Sequence, residues 1–220
     1  VGAWSCYDNN KNFSQKSSLV LPVSITIGIG TFWEMYGSYP NILFNGDEDA
    51  SGRGTLDLGT KLRFLGDRAS TFKLAAEFLA QRHVSENQKI DGATDLSGRL
   101  IASYNKDVWG AHIAAGYLMP DSTAGAKFEN GVTLGVGFEY IPMPRMKLMA
   151  EFNAVTKRYY IEDNPVNSAA TMEVSAGIQY FLSPHLTLNA SAGTGLGPHD
   201  PDIKFIFGVR PECEMIYHCF

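Results

Sequence analysis

Hydrophobic and polar residues alternate along the stretch from Arg53 to Leu65, whose sequence is RGTLDLGTKLRFL. Leu56, Leu58 and Leu62 fall on one side of an extended chain, and the charged residues between them fall on the other. Because side chains alternate between the two faces of a strand, this pattern predicts a β-strand with one apolar and one charged face. A soluble sandwich would bury the apolar face, whereas a membrane barrel would turn it toward lipid.

The same alternation recurs along the chain and predicts about twelve strands. The first, Val1 to Tyr7, is short, but an outer-membrane barrel needs an even number of strands. The other predicted strands are Leu19 to Ile29, Phe32 to Phe44, Arg53 to Leu65, Thr71 to Gln81, Thr94 to Tyr104, Val108 to Met119, Val132 to Tyr140, Met146 to Thr156, Met172 to Tyr180, Leu186 to Ala192 and Ile203 to Arg210. No segment with helical periodicity and capping residues stands out.

The connections between these strands alternate between short turns and long polar loops. Outer-membrane barrels have short periplasmic turns and longer outer loops, and a sandwich has no reason to keep such a rhythm. We therefore expect an all-β fold, a closed antiparallel transmembrane β-barrel. Residues 1–212 form the barrel in this scheme, and residues 213–220 form a C-terminal tail.

Charged residues return to one face of the predicted strands, which would line the lumen of a barrel. This face carries seven acids and seven bases together with His112. The candidates that line the lumen are Glu34, Asp57, Lys61, Arg63, Lys73, Glu77, Asp95, Arg99, His112, Glu139, Lys147, Glu151, Glu173, Lys204 and Arg210. Because the signs are mixed, we expect weak ion selectivity, since selective pores use rings of one sign.

Aromatic residues on the opposite, apolar face lie toward the strand ends, where rings anchor a barrel at the membrane interface. The girdle candidates are Trp33, Trp109, Tyr104, Tyr117, Tyr140 and Tyr180.

Composition narrows the alternatives. The chain has 220 residues and a net charge of −5 without a basic cluster, which argues against nucleic acid as a partner. No run of 18 apolar residues predicts a transmembrane helix. The three cysteines have no metal-ligand or haem spacing, so we expect no metal and no cofactor. Cys213 and Cys219 are disulfide candidates, with free thiols as the alternative.

Three stretches of the chain resemble a known protein family. LDLGTKLRFL, DLSGRLIASYNKDVWGAHIAAGYL and YFLSPHLTLNASAGTGLGPHDPDIKFIFGVR are similar to the bacterial outer-membrane barrels known as meta-pathway phenol-degradation or "transporter" proteins. The resemblance implies an outer-membrane location in a Gram-negative bacterium and supplies no catalytic residues. The tail PECEMIYHCF departs from the family's usual ending at the last strand.

Two functions fit this prediction. One is a channel or transporter-like barrel that passes small hydrophilic or amphipathic solutes. The other is a barrel plugged by its own side chains that acts as a scaffold or binds a partner. Lipid and small solutes are the expected partners. A protein partner or a second copy of the chain, for example through Ala111, Ala114 and Ala115, is left open.

An enzyme is not expected. As a catalytic base, His112 would need an oriented partner and a nucleophile, and Ser97 and Asp95 lie on the neighbouring predicted strand. A histidine that is simply hydrogen-bonded within a polar lumen is the favoured interpretation.

Overall fold

A computed structural model describes residues 18–20, 23–39, 42–45, 52–67, 69–85, 93–121, 129–156, 170–197 and 203–211, and this part of the chain is built from β-strands. The strands are β1 (Ser18–Val20), β2 (Val23–Ile29), β3 (Trp33–Tyr39), β4 (Ile42–Asn45), β5 (Gly52–Leu65), β6 (Phe72–Ser85), β7 (Thr94–Lys106), β8 (Trp109–Met119), β9 (Gly131–Met143), β10 (Met146–Val155), β11 (Thr171–Ser183), β12 (Leu186–Gly195) and β13 (Lys204–Pro211). Within these ranges there is no helix that is long and apolar enough to cross a membrane.

Eleven of the strands form one antiparallel sheet in the order β13 to β5, then β3 and β2, so that consecutive strands pair, except that β3 pairs with β5 rather than with β4. The short strands β1 and β4 pair with each other and extend the β2–β3 hairpin, since Val20 opposite Ile42 continues the register of Val23 opposite Tyr39. The predicted strands Leu19–Ile29 and Phe32–Phe44 are thus each present in two parts.

The predicted strands from Leu19 onward are confirmed in the part of the chain that the structure describes, although several of them are longer than expected. The β6 strand continues to Ser85, β9 to Met143 and β11 to Ser183. The predicted strand Val1 to Tyr7 lies outside the described residues.

Short and long connections alternate as predicted. The connections 30–32, 66–71, 107–108, 144–145 and 184–185 lie at one end of the sheet, and 46–51, 86–93, 120–130, 156–170 and 196–203 lie at the other. The difference in length between the two kinds of connection disappears near the start, where the connection 66–71 has as many residues as the connection 46–51. We call these two edges of the sheet the short-turn end and the long-loop end.

The apolar face of the sheet is its exposed face. Leu58, Phe78 and Leu100 on this face are 61–62% exposed, whereas the buried apolar side chains among the described residues are Ala75, Ala93 and Leu118. A sandwich would cover such a face with a second sheet. A large contiguous apolar surface on a single sheet instead marks contact with lipid or a partner.

The polar face is the more enclosed one. Glu77 and Thr187, both on this face, are 6% and 2% exposed. A sheet that covers its polar residues while exposing its leucines is curved with the polar face on the concave side. This is the inverse of a soluble core and matches the arrangement expected of a membrane barrel wall.

Candidate functional site

Strand register brings all the predicted lumen residues to the polar face. Tracing opposed residues across the sheet places every one of them on the concave side, and it places the six girdle aromatics on the other side. The shared faces follow from the period of two, because opposed residues in an antiparallel pair point the same way.

Four charged residues form a ladder of alternating sign across neighbouring strands. Glu34 on β3 lies opposite Lys61 on β5, Lys61 lies opposite Glu77 on β6, and Glu77 lies opposite Arg99 on β7. The Nε group of Arg99 donates a hydrogen bond to Oε2 of Glu77. The Glu77 side chain is 8% exposed and that of Arg99 is 49% exposed, so the acid is sheltered while the base faces open space.

The sheltered carboxylate of Glu77 has a second donor that the sequence pattern did not single out. The hydroxyl of Tyr36 donates to Oε1 of Glu77 over 2.5 Å. Tyr36 stands on β3, two strands away from β6, and its ring lies over Gly59 on the intervening strand β5. A Cβ at Gly59 would overlap that ring. The glycine therefore makes room for the contact.

A second cluster joins β8, β9 and β10 near the short-turn end. Nζ of Lys147 lies 3.2 Å from Oε1 of Glu139, and Nε2 of His112 lies 3.7 Å from Oε2 of the same carboxylate. The other ring nitrogen of His112, Nδ1, lies 2.9 Å from Oγ of Ser103. These contacts replace Ser97 and Asp95, the neighbours considered from sequence, and they leave His112 as a hydrogen-bonded residue of the wall.

A third pair spans β11 and β13. Nζ of Lys204 lies 3.3 Å from Oε1 of Glu173, and the strand between them, β12, has Gly193 opposite Lys204. Glu151 lies on the same polar face and lines one cavity of about 400 Å³ with Glu173 and Lys204. The last predicted base, Arg210, lies opposite the buried Thr187.

Polar contacts also mark the long-loop end. Asp57 accepts hydrogen bonds from Oγ of Ser38 at 3.0 Å and from Nε2 of Gln81 at 3.1 Å. Nε2 of His83 lies 2.9 Å from Oδ2 of Asp95. This part of the polar face is rich in acids, whereas bases gather toward the short-turn end.

Three predicted bases lie around a cavity of about 380 Å³ near the short-turn end, namely Lys61, Arg63 and Lys73. Glu34 and His112 line the same cavity. The Nε atom of Arg63 is buried and has no hydrogen-bond partner in the structure. The polar face thus holds open volume rather than tightly packed side chains.

The ion pairs described above share one geometric property. Glu77–Arg99, Glu139–Lys147 and His112–Glu139 join adjacent strands, while Glu173–Lys204 reaches over one strand. Each pair therefore lies along the surface of the sheet. None of those found among the described residues projects far from the wall.

Most of the girdle candidates lie at one level of the apolar face. Five of them are near the short-turn end, and Tyr117 lies closer to the long-loop end. The rings of Trp109 and Tyr140 stack with centroids 4.2 Å apart, and Nε1 of Trp33 donates to Oγ1 of Thr60 over 2.7 Å. Such a band of rings is typical of a membrane interface.

The small residues of β8 are divided between the two faces of the sheet. Ala111 and Ala115 lie on the apolar face, but Ala114 lies on the polar face opposite Gly135, so the three alanines do not form one patch. The alternation of His112 with Ile113 already places Ala114 on the same face as His112. Cys213 and Cys219 lie outside the described residues.

Comparison with known proteins defines the fold. No family model matches the chain, and no curated protein matches it. Among solved structures, the NanC porin is similar with a TM-score of 0.71 and 10% identity over 96% of this chain and 99% of that chain. An outer membrane channel from Pseudomonas putida F1 gives a TM-score of 0.71 and 12% identity over 95% of this chain and 93% of that chain.

The KdgM porin gives a TM-score of 0.66 and 9% identity over 97% of this chain and 100% of that chain. At such identities the likeness concerns the fold alone. The described sheet is therefore all-β and antiparallel and has the fold of outer-membrane porins and channels. The expectation of a porin-like β fold is confirmed.

Proposed function

We propose that the chain is an outer-membrane channel of a Gram-negative bacterium, a closed barrel of about twelve strands that passes small hydrophilic or amphipathic solutes. The observation that carries this proposal is the direction of the ion pairs, which run along the polar wall. The long charged side chains that could block a narrow barrel are held by neighbouring strands, so the axis is left open for solutes.

Strand parity supports closure with a twelfth strand. The sheet has eleven strands with β2 and β13 at its edges, and in an antiparallel sheet the first and eleventh strands run in the same direction. Direct pairing of β2 with β13 would therefore be parallel. One further strand that runs the opposite way would restore antiparallel pairing on both sides, and we assign Val1 to Tyr7 to this role. Closure also removes unpaired backbone groups that lipid does not tolerate.

Orientation follows from the connections. We place the short-turn end in the periplasm and the long-loop end outside the cell, as in barrels of this kind. The band of Trp33, Tyr104, Trp109, Tyr140 and Tyr180 would then lie at the periplasmic interface. Charged residues of both signs along the lumen give weak ion selectivity.

The alternative of a plugged scaffold is less well supported. A plug would need side chains that meet across the lumen, whereas the described polar face carries open cavities of about 240, 380 and 400 Å³. Membership of the meta-pathway phenol-degradation barrels also belongs to this proposal, since it rests on the quoted sequence stretches. The structural neighbours support the broader class of channels.

Swelling of proteoliposomes tests solute passage. Vesicles containing the refolded protein should swell in isosmotic solutions of small sugars and amino acids, and empty vesicles should not. Swelling no faster than in empty vesicles, with insertion shown by resistance to protease, would favour the plugged scaffold.

Removal of residues 1–7 tests closure. A closed barrel stays folded in detergent when the sample is not heated. The unheated protein then migrates faster on a gel than the same protein after boiling. The truncated chain should lose this difference in migration, and removal of the tail residues 213–220 is the matched control. If the truncated chain shows the same difference in migration as the full chain, Val1 to Tyr7 is not a strand of the barrel.

A further inference from the structure

A recess with a largely uncharged lining begins at Arg99, the last residue of the charged ladder. Arg99 on β7 has Glu77 on one side and Gly116 of β8 on the other, and Gly116 in turn lies opposite Thr133 of β9. A Cβ at Gly116 would lie 2.5 Å from Cβ of Arg99, so only glycine fits there. On the side of Arg99 away from Glu77, the wall therefore carries small, uncharged side chains.

The recess is a cavity of about 240 Å³ on β6 to β10. From β7 to β10 the wall spans three strand spacings, or about 14 Å. Asn153 lies at the far side, and Leu79, Leu118 and Val155 add apolar surface to the lining. One end of the recess thus offers the Arg99 guanidinium paired with Glu77, and the remainder combines apolar side chains with uncharged polar groups.

The guanidinium of Arg99 is available for a ligand. The hydrogen bond from its Nε group to Glu77 uses one of its five N–H groups, and the structure gives its side chain no other hydrogen bond to the described residues. Glu77 fixes the orientation of the planar group, while nearly half of the side chain remains exposed. A held guanidinium with free terminal nitrogens suits a carboxylate, which it can bind with two parallel hydrogen bonds.

We propose that this recess binds a small amphipathic monocarboxylate, with the carboxylate on Arg99 and a compact apolar body against Leu79 and Leu118, which lie opposite Ser97 on its two sides. This inference rests on the proposed function, because the solute would reach the recess through the lumen. It narrows the solute class, since a carboxylate with a hydroxylated body would leave the apolar wall without a partner. Binding sites of small molecules typically combine such apolar lining with a few placed polar groups.

Equilibrium dialysis against refolded protein in detergent micelles tests the site without requiring conduction, with empty micelles as the blank. The probes are cyclohexanecarboxylate, its neutral analogue cyclohexanecarboxamide, and galacturonate, which has a carboxylate on a hydroxylated ring. We expect cyclohexanecarboxylate to bind more tightly than either of the others by about tenfold or more. Equal binding of galacturonate would overturn the apolar part of the proposal, and equal binding of the amide would overturn the role of Arg99.

Substitutions can separate the contribution of the Arg99 guanidinium to binding from its contribution to folding. Arg99→Gln alone would leave the sheltered Glu77 carboxylate without its ion-pair partner. The test variant is therefore the double change Glu77→Gln with Arg99→Gln, which removes both charges. We expect this variant to lose about tenfold or more in affinity for cyclohexanecarboxylate, because no guanidinium remains to hold the carboxylate. Lys106→Gln removes a base from the same strand and should change nothing, because Lys106 lies opposite Trp109 on the apolar face.

The outcomes distinguish this inference from the proposed channel. Unchanged affinity of the double variant, or no binding of cyclohexanecarboxylate up to about 10 mM, would overturn the recess proposal whatever the conductance. Binding that depends on Arg99 in a protein that does not conduct would support the recess and count against the channel.

Discussion

Tyr36 and Gly59 lie opposite each other on β3 and β5, and the tyrosine ring covers the glycine so that its hydroxyl reaches Glu77 one strand further on. In a similar way, Oε1 of Glu173 lies 3.4 Å from the position of a Cβ at Gly193 on β12, and the same carboxylate pairs with Lys204 on β13. In both places a glycine on the middle strand lets a long side chain lie flat along the wall. This device satisfies a charged group without filling the concave side of the sheet.

Substitution of Gly59 tests whether this contact stabilises the wall. Gly59→Ala should lower the free energy of unfolding by about 1–3 kcal/mol, because the added Cβ would overlap the Tyr36 ring and force it to move. Urea unfolding in lipid vesicles measures the change. Gly28→Ala is the matched control on the same face, since nothing lies within 4 Å of its added Cβ. Equal stability of the two variants would show that the ring can move at no cost.

The protein should lose more stability when Arg99 is replaced than when its partner Glu77 is replaced. Arg99→Gln leaves a sheltered carboxylate with only Tyr36 as a hydrogen-bond donor and should cost about 1–3 kcal/mol of stability. Glu77→Gln leaves a base that water can reach and should cost less. Urea unfolding of both single variants and the double variant gives the coupling between them. If Glu77→Gln were the more damaging change, the carboxylate would not be the sheltered partner.

The apolar face should tolerate charge poorly. Leu100 stands in the middle of β7 and is 62% exposed, so Leu100→Arg should cost about 2–4 kcal/mol in lipid vesicles if this face meets the bilayer midplane. Asn153→Arg places the same side chain on an exposed site of the polar face and should cost much less. Equal unfolding free energies would contradict the assignment of the two faces.

The turn between β5 and β6 predicts a pH effect. Oδ1 of Asp67 accepts hydrogen bonds from the hydroxyl of Ser70 at 2.8 Å and from the backbone N–H groups of Ser70 and Ala69 at 2.8 and 2.9 Å. The hydroxyl of Ser70, followed by these N–H groups, holds the pKa of Asp67 below its ordinary value. The contribution of its charge is therefore present above the unfolded-state pKa, near about 4, and is lost as the pH falls through the lower folded-state pKa.

Asp67→Asn provides the comparison for this effect. The variant should be less stable than the parent at neutral pH, and the difference should shrink in acid because a protonated aspartic acid resembles asparagine. Unfolding of both proteins between neutral and acidic pH measures this difference. A gap that stays constant with pH would assign the effect to the shape of the side chain rather than to its charge.

The sequence predicted the strands of the described part of the chain and the faces of their charged and aromatic residues, because stretches such as Leu56 to Phe64 show a clear period of two. It could not supply the contact between Tyr36 and Glu77, since that contact depends on the register that places Gly59 between them. A lone aromatic residue on a charged face, as at Tyr36, is the signal that was available. The recess was missed for a similar reason, because Leu79 and Leu118 are apolar residues on the polar face and interrupt the alternation.

Single-channel recording of the refolded protein in a planar bilayer tests the central claim, an open lumen, most directly. An open lumen predicts steady, reproducible current steps with weak preference between anions and cations, because acids and bases both line the wall. A bilayer that stays silent while the protein is shown to be inserted would contradict the channel and leave a plugged barrel.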